Sequence, residues 1–364
     1  MNWYTYSKLL MDKCKEQEIP YHVGFELTPY CNFNCNMCYV HLTAEEAQKY
    51  GKLMTSEQWI FLAQEAKKLG ALSLEITGGE ALTRPDFPIL YKKFMDLGYL
   101  IVLRTNGYLV KGDVFEFLNQ YKPRVIMITL YGASDKTYEN VCGIKDGFSV
   151  VTENILALRQ ANIPVRLSST ITSDNFGDVS LMQEWARKHG FELSLGGHLF
   201  TPMRGTNRDI DHLQIRYPKA DYEIPEALQP THRDIPDLDK YINPFWMCRA
   251  FGAKFSITWD GKMVLCYSNP SVWTDPFATT LADAYHALYR EMKSVHRPAK
   301  CRTCNYIDLC TVCPSMLYSA TGSMEQTNYE MCKFAYRNYK NIVLHQNHQI
   351  NSIPCELDEE GDNE

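Results

Sequence analysis

Long apolar runs are missing from this chain, and none approaches the length a helix needs to cross a bilayer. Met1 to Pro20 also lacks the apolar stretch and small-residue cleavage site of a secretory signal, so a cytoplasmic protein is expected. Blocks of basic charge are absent as well. With 37 Lys and Arg against 43 Asp and Glu, the formal net charge of −6 argues against nucleic acid as the main partner. No membrane partner is expected, and no internal repeat is found. Cysteine is the opposite case, at 13 residues, and in a reducing compartment that many thiols are metal ligands or reactive groups rather than disulfides. They are segregated: Cys31, Cys35 and Cys38 stand at the front, seven fall between Cys248 and Cys332, and Cys14, Cys142 and Cys355 lie apart.

At 364 residues, with 45% hydrophobic and 22% charged residues, the chain suits one large globular domain and a smaller one. From Val23 to Thr201, β-rich runs alternate with helical patterns. Strands are predicted at Gly24–Thr28, Leu72–Thr77, Leu100–Arg104, Val125–Leu130, Val165–Ile171 and Glu192–Phe200. One helix begins at Thr55, where Thr55-x-x-Gln58 reads as a capping box and Trp59, Leu62, Ala63, Ala66 and Leu69 share a face. Others are predicted at Phe87–Leu97, Val114–Gln120, Ser149–Ala161 and Val179–His189. Six βα units imply a parallel sheet, either open and doubly wound or a partial barrel. In both, ligands sit at the carboxyl ends of the strands. There lie the cysteine loop, Gly78-Gly79-Glu80, Thr105-Asn106-Gly107 and Thr129. The boundaries drawn are an N-terminal segment 1–22, the βα region 23–203, a polar connector 204–240, a cysteine-rich region 241–340 and a tail 341–364. The acidic end of that tail is expected to be disordered.

The front motif is C-x3-C-x2-C. Three thiolates can hold three irons of a [4Fe–4S] cluster and leave the fourth free for a ligand. A structural zinc site would need a fourth protein ligand, for which His41 is the only near candidate. Gly78-Gly79-Glu80 alone is a tight turn, but downstream of this motif the glycines would allow close backbone approach and Glu80 could accept from an ammonium group. In motif, spacing and order, Val23 to Thr201 resembles the radical S-adenosylmethionine (SAM) superfamily. The resemblance implies a partial (β/α)6 barrel in which Cys31, Cys35 and Cys38 ligate the catalytic [4Fe–4S] cluster and SAM chelates its fourth iron. It further implies that Gly78, Gly79 and Glu80 meet the SAM amino group, that Tyr39 lies beside the adenine, and that Asn106 is a cofactor contact. Thr129 and Lys145 would serve the methionyl carboxylate, and Ser168 the ribose. The implied chemistry is the cofactor's: an electron cleaves SAM to a 5′-deoxyadenosyl radical, which abstracts hydrogen from an unactivated carbon.

The second set reads Cys248-x12-Gly261-x4-Cys266, then Cys301-x2-Cys304-x5-Cys310-x2-Cys313, then Cys332. Two C-x2-C pairs so close together are a metal signal, with zinc ribbons the plain alternative. The order and the Gly-x4-Cys element resemble the SPASM extension of radical SAM enzymes, which implies two auxiliary [4Fe–4S] clusters. By that analogy Cys301, Cys304, Cys310 and Cys332 close one cluster, while Cys248, Cys266 and Cys313 hold the other and leave an iron open or otherwise ligated. The chain departs from the family pattern here, offering seven cysteines where two closed clusters need eight.

Enzymes of this layout mostly modify peptides or proteins. The resemblance therefore implies a maturase forming a thioether or carbon-based cross-link on a ribosomally made peptide, fed by an external one-electron donor of flavodoxin or ferredoxin type. Too few residues precede the first strand for a leader-recognition domain, so leader binding is expected on the second region, the connector or a separate protein. Two alternatives are an anaerobic sulfatase maturase and a peptide epimerase. The first carries an acid where Tyr267 stands; the second needs a thiol donor such as Cys142, Cys14 or Cys355. A non-enzymatic metal-binding scaffold would not cleave SAM. Arg204, just beyond the sixth strand, is a candidate contact to substrate or SAM. Of Phe245, Trp246, Phe251, Phe255, Trp259, Tyr267 and Trp273, most read as core, with a peptide groove the alternative.

Overall fold

Strand pairing in sequence order, with a helix between each consecutive pair of the first six strands, is the outcome expected when right-handed βα crossovers follow one another. The computed structural model shows it; it describes residues 3–196, 199–200, 210–213, 248, 251–304, 307, 310, 312–328 and 331–333. Expectations placed on Arg204, Phe245, Trp246, Cys355, most of the connector and the tail lie outside these residues. By its contacts the chain divides into two compact units: Met1–Gln214 with Arg249–Met292, and Ile215–Cys248 with Lys293–Glu364.

In the first unit, β1 (His22–Glu26), β2 (Ser73–Thr77), β3 (Leu100–Thr105), β4 (Val125–Thr129), β5 (Val165–Thr170) and β6 (Leu193–Gly196) run parallel in the spatial order 6-5-4-3-2-1. These are the six expected strands of the partial barrel. The sheet continues beyond them. β7 (Lys254–Ile257) pairs parallel with β1, His22 opposite Lys254 and Gly24 opposite Ser256, and β8 (Met263–Val264) turns back on β7. Sequence reading placed both in the cysteine-rich region, because a four-residue strand whose partner is so remote leaves no local period to read.

The helices are α1 (Trp3–Glu16), α2 (Ala44–Tyr50), α3 (Ser56–Lys68), α4 (Phe87–Asp96), α5 (Asp113–Gln120), α6 (Asp135–Cys142), α7 (Gly147–Gln160), α8 (Val179–Lys188) and α9 (Leu281–Ser294). The capping box at α3 forms as read: Thr55 Oγ1 accepts from Gln58 N at 3.3 Å and Gln58 Oε1 accepts from Thr55 N at 2.9 Å. Trp59, Leu62, Ala63 and Ala66 are fully buried, and Phe25 of β1 packs on Trp59 and Phe94 with ring centroids 4.9 and 5.7 Å apart. Helices α1, α2, α6 and α9 escaped the sequence reading. α6 is short and polar, and its signals are a Ser134 cap and Gly143 in the left-handed region at φ 74°.

Along β1–β3 the faces alternate with period two. Val23, Phe25, Leu74, Ile76, Ile101 and Leu103 are buried on the side that carries Phe25 and Trp59. The opposite face presents His22, Gly24 and Glu26, then Ser73, Glu75 and Thr77, then Leu100, Val102 and Arg104, so most of what β1–β3 turn toward the barrel interior is polar. In the second unit, a short turn of 3-10 helix (Ala299–Thr303) precedes α10 (Pro314–Thr321), which ends at Gly322 with φ 73°. Among the described residues no helix is long and apolar enough to cross a membrane.

Candidate functional site

The cysteine loop leaves β1 and is held from two sides. On one side Gly79 N donates to Thr28 O at 2.6 Å and Glu80 N to Tyr30 O at 2.8 Å. A Cβ on Gly78 would come within 2.7 Å of Thr28 O, and one on Gly79 would fall on the Tyr30 carbonyl. The two glycines thus let one backbone lie against another. On the other side α6 presents its last carbonyls, which lack partners inside the helix. Asn34 N donates to Cys142 O at 3.0 Å, Asn36 N to Val141 O at 2.9 Å, and Asn36 Nδ2 to Asn140 O at 2.9 Å.

Glu80 binds the strand ends together. Its carboxylate, 1% exposed, accepts from Thr105 Oγ1 and Asn106 N, each at 2.8 Å, and from Leu82 N at 3.1 Å. Burial pushes its pKa up, against the pull of these three donors. Asn106 passes the link onward: Nδ2 donates to Asn32 Oδ1 at 2.8 Å and lies 3.8 Å from Cys31 Sγ.

These contacts frame a cavity of about 390 Å³ at the carboxyl ends of the strands. Its wall brings together Cys31, Cys35, Cys38, Tyr39, Gly78, Gly79, Asn106, Thr129 and Ser168. Glu80 stands behind that wall. Lys145 is not on it; it is exposed in the turn between α6 and α7. Sequence reasoning missed Arg104, Met127, Tyr131, Leu199 and Phe200, which also line the cavity. For Arg104 no local signal existed: the same-face positions before it on β3 are Leu100 and Val102, and only the register with β2 sets it beside the polar row of Ser73, Glu75 and Thr77.

Backbone N–H groups already point at two of the sulfurs: Phe33 N reaches Cys31 Sγ at 3.3 Å and His41 N reaches Cys38 Sγ at 3.2 Å. Burial first, then the charge of Glu80, pushes the Cys31 thiol well above its ordinary pKa, with the Phe33 N–H pulling the other way. Bare, such a thiol is protonated; a bound metal reverses this. Three sulfurs on one wall, with N–H donors and neutral polar groups around them, therefore fit an iron–sulfur cluster with one position open. Cys142 is fully buried against Cys35, and burial drives its thiol far up. Cys14 is packed with Tyr21 and Ala253 in a core cluster. Tyr267 is buried with its hydroxyl close to Gly24 and Ser256.

Below the cavity a charged group spans four strands. Glu75 is held by Arg104 Nε at 2.8 Å, Lys254 Nζ at 3.7 Å and His22 Nε2 at 3.9 Å. Burial would raise the Glu75 pKa, but Lys254, Arg104 and His22 hold it at about 2. His22 is depressed to about 3 by burial and by Lys254, Arg104 and Arg124, with Glu75 opposing. Both shifts make the fold acid-sensitive. The unfolded chain protonates His22 near 6.5 whereas the folded chain refuses the proton down to about 3, so stability falls across that interval as pH drops. The Glu75 contribution is present above the ordinary carboxylate range and is lost toward about 2. His22→Asn is expected to flatten the fall in urea midpoint between about pH 7 and pH 5. An unchanged slope in that variant would remove His22 from the account.

In the second unit, Cys304, Cys310 and Cys332 lie close enough to Cys301 to add to the rise in its pKa, and Cys304 and Cys332 do the same for Cys310. Burial is the larger cause, Arg297 opposes it, and the Cys301 thiol is pushed up to about 12. Successive turns carry three of them, with Cys304 N bonded to Cys301 O, Ile307 N to Cys304 O and Cys310 N to Ile307 O.

Comparison with known proteins agrees with this geometry. Residues 25–178 match the model of the radical SAM superfamily. The chain is 30% identical over 171 residues to an AdoMet-dependent heme synthase of Methanosarcina barkeri, covering 47% of this chain and 48% of that one. It is 29% identical over 188 residues to the sporulation killing factor maturation protein SkfB of Bacillus subtilis, covering 52% and 45%. These matches span about half the length of those relatives. Among solved structures, Streptococcus suis SuiB bound to S-adenosylmethionine superposes with a TM-score of 0.64 at 17% identity, over 91% of this chain and 83% of that one. AnSMEcpe with bound AdoMet superposes with a TM-score of 0.61 at 17% identity, over 89% and 96%. At such identities the two structures speak for the fold, a partial barrel followed by a further domain. Residues 25–178, which carry the cysteine loop and most of the cavity wall, are a radical SAM domain.

Proposed function

We propose that this protein is a radical SAM maturase that acts on a ribosomally made peptide and forms a thioether or carbon-based cross-link. The observation that carries this reading is the convergence of Cys31, Cys35 and Cys38 with Tyr39, Gly78, Gly79, Asn106, Thr129 and Ser168 on one cavity. Cys31, Cys35 and Cys38 would hold the catalytic cluster. Gly78 and Gly79 offer a surface without side chains to the SAM amino group, Thr129 faces its carboxylate, Ser168 its ribose and Tyr39 its adenine. Glu80 keeps the ends of β2 and β3 in register and so positions Asn106. When bound, SAM and the reduced cluster supply a 5′-deoxyadenosyl radical. The residues of the wall orient the reacting carbon and exclude water.

Support for a peptide substrate comes from SkfB, a maturation protein by name, and from the SuiB fold, solved with the precursor peptide SuiA. The proposal extends to two auxiliary [4Fe–4S] clusters, one on Cys301, Cys304, Cys310 and Cys332 and one on Cys248, Cys266 and Cys313, whose remaining iron is open or otherwise ligated. It also extends to an external one-electron donor, a separate leader-binding protein and a cytoplasmic setting. Sulfatase maturation is the second reading. It is favoured by the likeness to anSMEcpe, solved with the Cp18Cys peptide, and disfavoured by a tyrosine at position 267 where a base is needed. Epimerisation is weaker still, because Cys142 and Cys14 are both buried.

The test is anaerobic incubation of the reconstituted enzyme, SAM and reductant with a short peptide encoded beside the gene. A mass loss of two hydrogens per event, located by fragmentation, is the expected result. Unchanged mass with deuterium gained from heavy water would replace the reading by epimerisation. An intact substrate with SAM still cleaved would turn attention to sulfatases.

A further inference from the structure

The cavity wall carries a single charged side chain among the described residues. Arg104 projects from β3 into the barrel with its side chain 43% accessible, while every other residue on the wall is neutral. One edge of its guanidinium is spoken for, since Nε bonds Glu75 Oε2 at 2.8 Å. Glu75 takes a second cation from Lys254, and Arg124 is also felt at His22; the other buried carboxylate of this face is Glu26 on β1, opposite Thr77. His22 is neutral at ordinary pH and adds no charge. The outcome is a fixed arginine whose Nη1/Nη2 edge has no partner among the described residues. That edge is the half of the fork that grips an anion through two parallel bonds.

Depth in the barrel narrows the choice of anion. Asn106, just past the end of β3, reaches the loop that holds Cys31. The Arg104 backbone lies two residues earlier, about 7 Å toward the barrel floor, and its guanidinium is within electrostatic reach of Tyr39 and Tyr267. A ligand engaging the cysteines lies above it, and a cationic sulfonium gains nothing from approaching a guanidinium. What reaches Arg104 is the part of the substrate that enters beyond the cofactor.

We propose that Arg104 is a substrate-recognition residue that receives a carboxylate of the peptide, either an Asp or Glu side chain or the C-terminal carboxylate. Glu75 is the positioning residue: it fixes the guanidinium through Nε and turns the paired Nη groups toward the cavity. Lys254 keeps Glu75 ionised and paired when the substrate arrives. The assignment rests on the peptide-maturase reading and adds to it a chemical class of substrate.

The experiment uses reconstituted holoenzyme with SAM and a panel of acetylated alanine pentapeptides. One arm carries Glu, Asp, Gln or Asn at the centre with an amidated C-terminus; the other has an all-alanine sequence with a free C-terminus. Binding is read by calorimetry, and KM for SAM is measured in parallel. Wild type is expected to prefer one acidic arm over its neutral isostere on the order of ten- to a hundredfold, as suits a charge-assisted bond. The arm that binds identifies the source of the carboxylate. In Arg104→Gln the preference collapses to near parity; in Arg104→Lys, which keeps the charge and the link to Glu75, part of it remains. Circular dichroism establishes that both variants are folded. Equal binding of acidic and neutral peptides by wild type overturns the proposal. So does a variant in which KM for SAM rises while peptide preference is kept, which would assign Arg104 to the cofactor. A cross-linked product together with equal binding would leave the maturase reading standing and remove only this assignment.

Discussion

Cys35→Ala is expected to lose about four irons per chain after anaerobic reconstitution, falling from about twelve to about eight, and to cleave SAM only at background. Cys35 lies on the cavity wall with Cys31 and Cys38, and two thiolates cannot hold a cluster that still leaves one iron open. The loop itself should survive, because its anchors are backbone: Asn34 and Asn36 on the α6 carbonyls, and Thr28 and Tyr30 on the Gly79 and Glu80 amides. Cys14→Ala is the matched control, a thiol in a separate core cluster, and should keep its full iron. Iron and sulfide analysis with quantification of 5′-deoxyadenosine reads both. Full iron in Cys35→Ala would take that residue off the cluster. Wild-type iron near four per chain would remove the auxiliary clusters.

The second large effect is expected from a single methyl group. Gly79→Ala drives a Cβ onto the Tyr30 carbonyl, where the contacts are backbone atoms that cannot swing aside. Relief requires parting the bonds from Gly79 N to Thr28 O and from Glu80 N to Tyr30 O. With them goes the register of Glu80 against Thr105 and Asn106. A loss of about 1–3 kcal/mol in stability is anticipated, as for other atoms forced into a packed site. SAM cleavage should drop about a hundredfold, because small misplacements of reacting groups are that costly. Gly177→Ala is the comparison, since a Cβ there meets nothing within 4 Å and its φ is not positive. It should move the denaturation midpoint by less than about 0.5 kcal/mol. Equal midpoints for the two variants would mean that the loop yields without cost.

The barrel was legible because its signals are local. Alternation along each strand, the capping box at Thr55 and the motifs at the strand ends all act within a few residues, and six strands with the cysteine loop, Gly78-Gly79 and Asn106 follow from them. What escaped depends on distant partners. β7 is four residues whose mate is β1, and α6 is a polar helix whose C-terminal carbonyls serve the cysteine loop. Glu80 read as a ligand-facing acid, whereas its carboxylate is occupied by Thr105, Asn106 and Leu82. Arg104 was overlooked because an arginine ending an apolar strand looks like a solvent-facing terminus. Only the pairing of β3 between β2 and β4 makes that position an interior one.

The pairing of β1 with β7 also sets an order of events during synthesis. β1, which carries the cysteine loop, has β2 on one edge as soon as residue 77 is made, but its other edge stays bare until Lys254–Ile257 leave the ribosome. Until then a buried, apolar strand keeps a row of unpaired amides and carbonyls open to any neighbour. Closing so long a loop is slow relative to the local βα steps. A nascent chain therefore carries three iron-binding thiols beside an unfinished sheet edge, and a truncation before Lys254 would leave that edge permanently exposed to aggregation.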